Sequence, residues 1–240
     1  MTSRSKPAAA FSPAQAGRLQ RLEVAIPPRR LPGILCAPEQ PQSIVIFAHG
    51  SGSSRFSPRN TAVAAALNAH GMATLLFDLL TPAEETNRAN VFDIPLLAAR
   101  LGDAVRWAAH EAPAGPLPIG LFGASTGAAA ALAAAAELPG EIGAVVSRGG
   151  RPDLAGEALP QVRAPTLLIV GGADDQVIAL NEEALRKLRC VKALKIVPGA
   201  THLFPEPGAL ETVVDLARDW FGRYLAPPSQ AQGAKTGHAV

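Results

Sequence analysis

The feature that most limits the fold is a series of short apolar runs, spread along the whole chain and separated by helical stretches. They cover residues 22–26, 33–36, 44–48, 73–77, 119–122, 144–147, 166–170 and 193–197. From the third onward the runs are continuous rather than alternating, the pattern of strands covered on both faces of a parallel sheet. Between them, Ser57 or Pro58 opens a helix that ends near His70 and Gly71. Asp93 caps another, with Pro95 in its first turn, that runs towards His110. An Ala-rich helix spans residues 126–137 until Pro139 and Gly140 stop it, a short one covers 181–189, and a last one covers 210–224. The link Pro27-Pro28-Arg29-Arg30 is too short for a crossover helix, so the first two strands should pair antiparallel. Alternation of strand and helix thereafter implies a mostly parallel sheet with helices on both faces. One domain over residues 21–226 is expected, flanked by a flexible basic leader (1–20) and a flexible tail (227–240).

Charge excludes several functions. With 48% apolar and 18% charged residues, the chain is no disordered polyelectrolyte. The net charge of +2 is uneven: six of the 22 basic residues precede position 31 against one acid, which leaves 16 basic and 19 acidic residues in the body. A nucleic-acid binder needs a basic face interleaved with aromatics. Aromatics are only 5% here, so no nucleic-acid partner is expected. No stretch reaches the roughly 20 apolar residues of a membrane span, and residues 1–17 lack the apolar core of a secretory signal. The expected location is the cytoplasm. Cys36 and Cys190 stand apart, with no CxxC pair and no zinc spacing, so they read as inert thiols. Neither a metal nor an organic cofactor is expected.

The sharpest chemical signal is Gly123-Ala124-Ser125-Thr126-Gly127, placed directly between an apolar run and the Ala-rich helix. In a strand–turn–helix setting the small neighbours permit a turn sharp enough to hold Ser125 strained above the sheet. The helix start behind it offers N–H groups and a positive dipole end to a developing oxyanion. The plainer alternative is a tight turn with a helix-capping serine. A serine nucleophile needs a base, and the base needs an orienting acid. Of five histidines, His70, His110 and His238 read as surface or tail residues, and His49 as a structural part of its own loop. His202 follows the last strand and lies downstream of both the serine and an acid, the chain order this turn uses. The acid comes from Gly171-Gly172-Ala173-Asp174-Asp175 at another strand end: Asp174 first, Asp175 as the fallback. The glycines of His49-Gly50-Ser51-Gly52 let the backbone approach the serine, so the N–H groups of Ser51 and Thr126 form the expected oxyanion hole.

With those residues in place, the chain resembles the α/β-hydrolases, and within them the dienelactone hydrolase family. The likeness covers roughly residues 22–225. It rests on His49-Gly50-Ser51-Gly52-Ser53-Ser54-Arg55, on the Ser125 motif, on the loop ending in Asp174, and on Ala200-Thr201-His202-Leu203-Phe204. It implies an α/β-hydrolase fold, an eight-stranded mostly parallel sheet, with Ser125 as nucleophile, Asp174 as acid and His202 as base. One departure is chemical: dienelactone hydrolases proper use a cysteine nucleophile, whereas position 125 is serine. General carboxylester hydrolysis is therefore the expected reaction, with lactone hydrolysis, acyl transfer or perhydrolysis as alternatives at the same site, and a non-catalytic interaction module as a reading of another class. About twenty residues separate Ser147 from Thr166, too few for a cap domain, so an open site for small or soluble esters is expected. Arg148 and Arg151, with Arg55 or Arg59 across the mouth, are candidates to hold a carboxylate or phosphate on the substrate. Each could instead pair with a carboxylate of the chain, as Arg151 with Asp153.

Overall fold

The computed structural model describes residues 19–113 and 115–225. The expected leader and tail lie outside these residues, except that Leu19 is described and Gln20 already opens a strand. In chain order the elements are β1 (Gln20–Ile26), β2 (Leu31–Ala37), β3 (Ser43–Ala48), α1 (Pro58–Ala69) and β4 (Met72–Phe77). There follow α2 (Pro82–Glu85), α3 (Arg88–Val91), α4 (Ile94–His110), β5 (Ile119–Ala124), α5 (Thr126–Glu137) and β6 (Ile142–Arg148). A 3-10 segment (Pro152–Gln161), β7 (Thr166–Gly171), α6 (Asp175–Lys187), β8 (Lys192–Val197) and α7 (Ala209–Tyr224) complete the series.

The strands form one eight-stranded sheet in the order β1-β2-β4-β3-β5-β6-β7-β8. β1 pairs antiparallel with β2, and β2 with β4; every other pairing is parallel. Each residue of β3, β4, β5 and β7 is buried, as their unbroken apolar runs require. β8 differs from the expectation of a doubly covered strand. It lies at the sheet edge, and only Val197 is buried, because Lys192 and Lys195 sit where one flank has no neighbour.

Helices cover both faces. One core cluster joins the sheet to α4, α5 and α6, and a second joins it to α1 and α7. Ten consecutive residues of α5, from Thr126 to Ala135, are buried, which accounts for its alanines: a helix enclosed by sheet, α4 and the 3-10 segment has room for little else. Local caps fix two helix starts. Asp93 Oδ1 accepts from the Leu96 N–H at 2.9 Å, and Ser57 Oγ from the Asn60 N–H at 3.4 Å; a cap of this kind is worth about 1 kcal/mol. α6 begins at Asp175, earlier than the expected residue 181. Asn181 reads as a helix boundary, yet it lies inside the helix, wholly buried, where its amide donates to the carbonyls of Val177 (2.8 Å) and Gly150 (3.0 Å).

This topology places the site. The chain moves from β3 to β4 in one direction and later returns across β3 to β5, so the crossovers diverge between the carboxyl ends of β3 and β5. A crevice opens at such a switch point. The loops that enter it are His49–Ser51 after β3 and Ser125 after β5.

Candidate active site

Ser125 sits between β5 and α5 with φ 52° and ψ −123°, a region that non-glycine residues rarely occupy. Strain of this kind costs on the order of 1–3 kcal/mol and persists only where the surroundings impose it. Here they do. A Cβ on Gly127 would lie 2.2 Å from the Ala48 carbonyl oxygen, and one on Gly123 would lie 2.4 Å from the Ala128 Cα. Strand and helix thus meet at a separation only glycine allows, and the serine between them is half-buried at the crevice. Its N–H donates to the Arg148 carbonyl at 3.3 Å, and its own carbonyl accepts from the Arg151 N–H at 3.1 Å.

Asp174 and His202 come together, as the sequence pattern anticipates. His202 Nδ1 lies 2.8 Å from Asp174 Oδ2. The Asp174 carboxylate makes no bond to its own helix start, so the contact with His202 defines its role in the fold. Asp175 occupies the exposed first turn of α6, away from that contact. The two loops are held against one another by backbone bonds, Ala173 N–H to the Ala200 carbonyl at 2.9 Å and Gly172 N–H to the Val197 carbonyl at 2.8 Å. The His202 side chain is 39% exposed and faces solvent across the crevice. Among the described residues, no hydrogen bond joins the Ser125 hydroxyl to His202. Such contacts commonly tighten only when substrate is bound.

The loop after β3 completes the crevice. A Cβ on Gly50 would fall 2.9 Å from the Ser125 Cβ, so this backbone passes directly beside the serine. The Ser51 N–H donates to the Thr126 hydroxyl at 3.0 Å. His49 is 8% exposed; its Nε2 accepts from the Leu79 N–H at 3.2 Å, which leaves the proton on Nδ1 to donate to the Gly50 carbonyl at 3.0 Å. Burial pushes the His49 pKa down, against weaker upward pulls from that Gly50 bond and from Asp78 and Glu85. A cleft of about 530 Å³ leads from this loop, over Thr126, to Leu79, Leu80, Val91 and Leu97. Part of its wall comes from α2 and α3, which sequence reading missed. Each is four residues long, shorter than any helical period can register. Arg100 anchors α2 through an ion pair to Glu84 at 2.7 Å, and the Asn90 amide of α3 donates to the Glu84 carbonyl at 2.9 Å.

The arginines divide sharply. Arg55 is paired with Asp78, which also accepts its backbone N–H at 2.7 Å. Arg151 forks onto Asp153 at 2.9 and 2.7 Å, the in-chain pairing that was the alternative to substrate binding. Arg148 is 6% exposed and has no carboxylate; its nearest polar partner is Asn60 Oδ1 at 3.4 Å. Burial, together with the neighbouring Arg59 cation, pushes its pKa down to about 10. It therefore stays charged at neutral pH. Asp78, Asn60 and Asn181, which hold the loops of the site, carried no sequence signal because their partners lie far away along the chain.

An eight-stranded sheet with helices on both faces, a strained serine after β5 and an Asp–His pair after β7 and β8 together define an α/β-hydrolase-fold protein. The chain belongs to the dienelactone hydrolase family, whose sequence profile matches residues 31–219. The crystal structure of dienelactone hydrolase from Anabaena variabilis ATCC 29413 is similar over 88% of this chain and 100% of that one, with 54% identity and a TM-score of 0.83. A Mycobacterium tuberculosis H37Rv protein, provisionally named a phosphoribosyl transferase, is 57% identical over 211 residues, which is 88% of this chain and 48% of the relative. The chain thus spans about half the length of that relative. Est1E from Butyrivibrio proteoclasticus is alike in fold, with a TM-score of 0.72 at 16% identity. No helix among the described residues is long and apolar enough to cross a membrane.

Proposed function

We propose that the protein is a serine hydrolase that cleaves carboxylic esters of small or soluble substrates through an acyl-enzyme. The observation that carries this reading is the conjunction of a strained Ser125 with the 2.8 Å Asp174–His202 contact at the same crevice. Family membership and the named dienelactone hydrolase neighbour support ester bonds as the target. Lactone hydrolysis is a second reading, favoured by that neighbour's name; it uses the same acyl-enzyme with the leaving alcohol still tethered. The transferase name belongs to a relative more than half of which lies outside the match, and the residues gathered here suit acyl chemistry.

In this mechanism Ser125 Oγ attacks the carbonyl carbon while His202 Nε2 takes its proton. Asp174 keeps the other imidazole proton on Nδ1 and stabilises the imidazolium. The negative oxygen of the tetrahedral intermediate receives the backbone N–H groups of Ser51 and Thr126, each worth roughly 3 kcal/mol in the transition state. Collapse breaks the ester C–O bond, and His202 returns the proton to the departing alcohol. Water, deprotonated by His202, then attacks the acyl-enzyme; the bond from the acyl carbon to Ser125 Oγ breaks, His202 returns the proton to that oxygen, and the acid leaves. The exposed Phe56 gives the cleft an apolar rim for a short acyl or alkyl group. Labelling with a fluorophosphonate tests the assignment. An adduct on Ser125, lost in Ser125→Ala, is expected together with turnover of short p-nitrophenyl esters. Absence of both from the folded protein would overturn the reading in favour of a non-catalytic module.

A further inference from the structure

Among the arginines at the crevice, two are left without a counter-charge. Arg148 and Arg59 make no ion pair among the described residues, and the Nε of each is buried with no hydrogen-bond partner. Removing a cation from water without a carboxylate is unfavourable, and placing a second cation beside it is more so. Arg148 Nη2 lies 3.4 Å from Asn60 Oδ1, on the residue that follows Arg59, so the two cations share one neighbourhood. The two come from different elements: Arg148 closes β6, and Arg59 lies in the first turn of α1, whose positive dipole end adds to the field. The Arg148 guanidinium also lies 5.9 Å from the centre of the Phe204 ring, which screens it from bulk water.

We propose that Arg148 and Arg59 form a binding site for an oxyanion, a carboxylate or a phosphate group, between the end of β6, the first turn of α1 and Phe204 of the histidine loop. The strand register puts Arg148 opposite Ala124, and its carbonyl accepts the Ser125 N–H. The next residue, Gly149, packs on the histidine loop, where a Cβ would lie 2.9 Å from the His202 carbonyl oxygen and 3.7 Å from its Nδ1. The backbone that carries Arg148 thus touches the loops of both Ser125 and His202, while its guanidinium reaches Asn60 and Phe204. Guanidinium forks suit the paired oxygens of a carboxylate or phosphate. Arg55 and Arg151 do not contribute, since Asp78 and Asp153 already occupy their forks. The anion is either part of the substrate or a free small anion. Only the first case rests on the ester-hydrolase reading.

Two readouts test the site, one of them independent of catalysis. Thermal melting of the full chain is compared in sodium phosphate, sodium glutarate and sodium chloride at equal ionic strength, for wild type, Arg148→Gln and Arg59→Gln. A bound anion raises the melting temperature by mass action, so phosphate or glutarate should stabilise the wild type above chloride, and neither variant should respond. In parallel, kcat/KM is measured for the p-nitrophenyl hemiester of glutaric acid and for p-nitrophenyl butyrate. A preference for the charged ester of at least about tenfold that vanishes in both variants identifies a substrate-borne carboxylate. An arginine-dependent melting shift without that preference identifies a free anion. If neither readout depends on the two arginines, the site does not exist. Should Arg148→Gln fail to fold, the half-exposed Arg59 carries the test alone. A protein inactive on both esters that still shows the arginine-dependent shift would overturn the hydrolase reading and leave the anion site standing. Turnover of the neutral ester without any arginine-dependent response would do the reverse.

Discussion

The backbone N–H of Ser51 donates to the Thr126 side-chain hydroxyl at 3.0 Å, tying the loop after β3 to the first turn of α5 across 75 residues of sequence. Both residues supply the N–H groups assigned to the oxyanion. On the oxyanion-hole proposal, the threonine hydroxyl holds the Ser51 donor in place beside the first turn of α5.

Thr126→Val tests this arrangement, because it removes the acceptor while keeping the shape of a buried side chain. Loss of one neutral hydrogen bond is worth about 1 kcal/mol, so kcat/KM on a short ester should fall roughly fivefold. The melting temperature should fall by no more than roughly 2–4 °C, the share of stability that one such bond carries in a chain of this size. A rate above wild type would mean instead that the hydroxyl competes with the oxyanion for the donor.

Asp174→Asn and Asp175→Asn should separate by orders of magnitude. Only Asp174 touches His202, and an amide there favours the wrong imidazole tautomer. Its kcat should fall by on the order of 10⁴. Asp175, exposed at the start of α6, should change the rate by no more than about threefold. A larger loss at Asp175, read from steady-state ester hydrolysis, would reassign the acid.

Much of this was legible in the sequence, and the reasons are physical. Strands β3 to β7 announce themselves because burial on both faces leaves no polar alternation, and the sharp turn at Ser125 demands glycine on both sides. The contact between Asp174 and His202 could be anticipated from strand ends and chain order. What escaped is what depends on partners distant along the chain. Asn181 reads as a helix boundary until Gly150 is there to accept its amide. Arg55, Arg148 and Arg151 are indistinguishable as letters, yet two are neutralised by nearby aspartates and one is enclosed without a carboxylate. The edge position of β8 emerges only from the strand order.

Ser125→Gly should separate strain from chemistry. At φ 52°, serine pays a backbone penalty on the order of 1–3 kcal/mol that glycine avoids. Greater freedom of glycine in the unfolded chain takes back about 0.4–1 kcal/mol. The net gain of about 1 kcal/mol corresponds to a rise of roughly 2–4 °C in melting temperature for a chain of this size. Ester hydrolysis should be abolished, as in Ser125→Ala, whose melting temperature should match wild type. A glycine variant less stable than the alanine one would show that the elbow stores no strain.

His49 predicts a pH dependence with a definite sign. Burial holds its folded pKa below the ordinary 6.5, so the folded protein keeps the ring neutral where the unfolded chain already takes up a proton. Between the lowered folded value and 6.5 the unfolded state binds more protons. Stability is therefore full above that window and declines as pH falls through it. Protonation would also set an N–H against the Leu79 N–H that Nε2 now accepts, releasing the turn that carries Gly50 and Ser51. His49→Gln keeps an acceptor for Leu79 but does not titrate. The measurement is the melting temperature of wild type minus that of the variant from about pH 8 to about pH 5, a difference in which the other histidines cancel. That difference should be flat at the alkaline end and fall below about pH 6.5. Parallel acid slopes for the two proteins would place the titrating group elsewhere and leave His49 charged or neutral in both states alike.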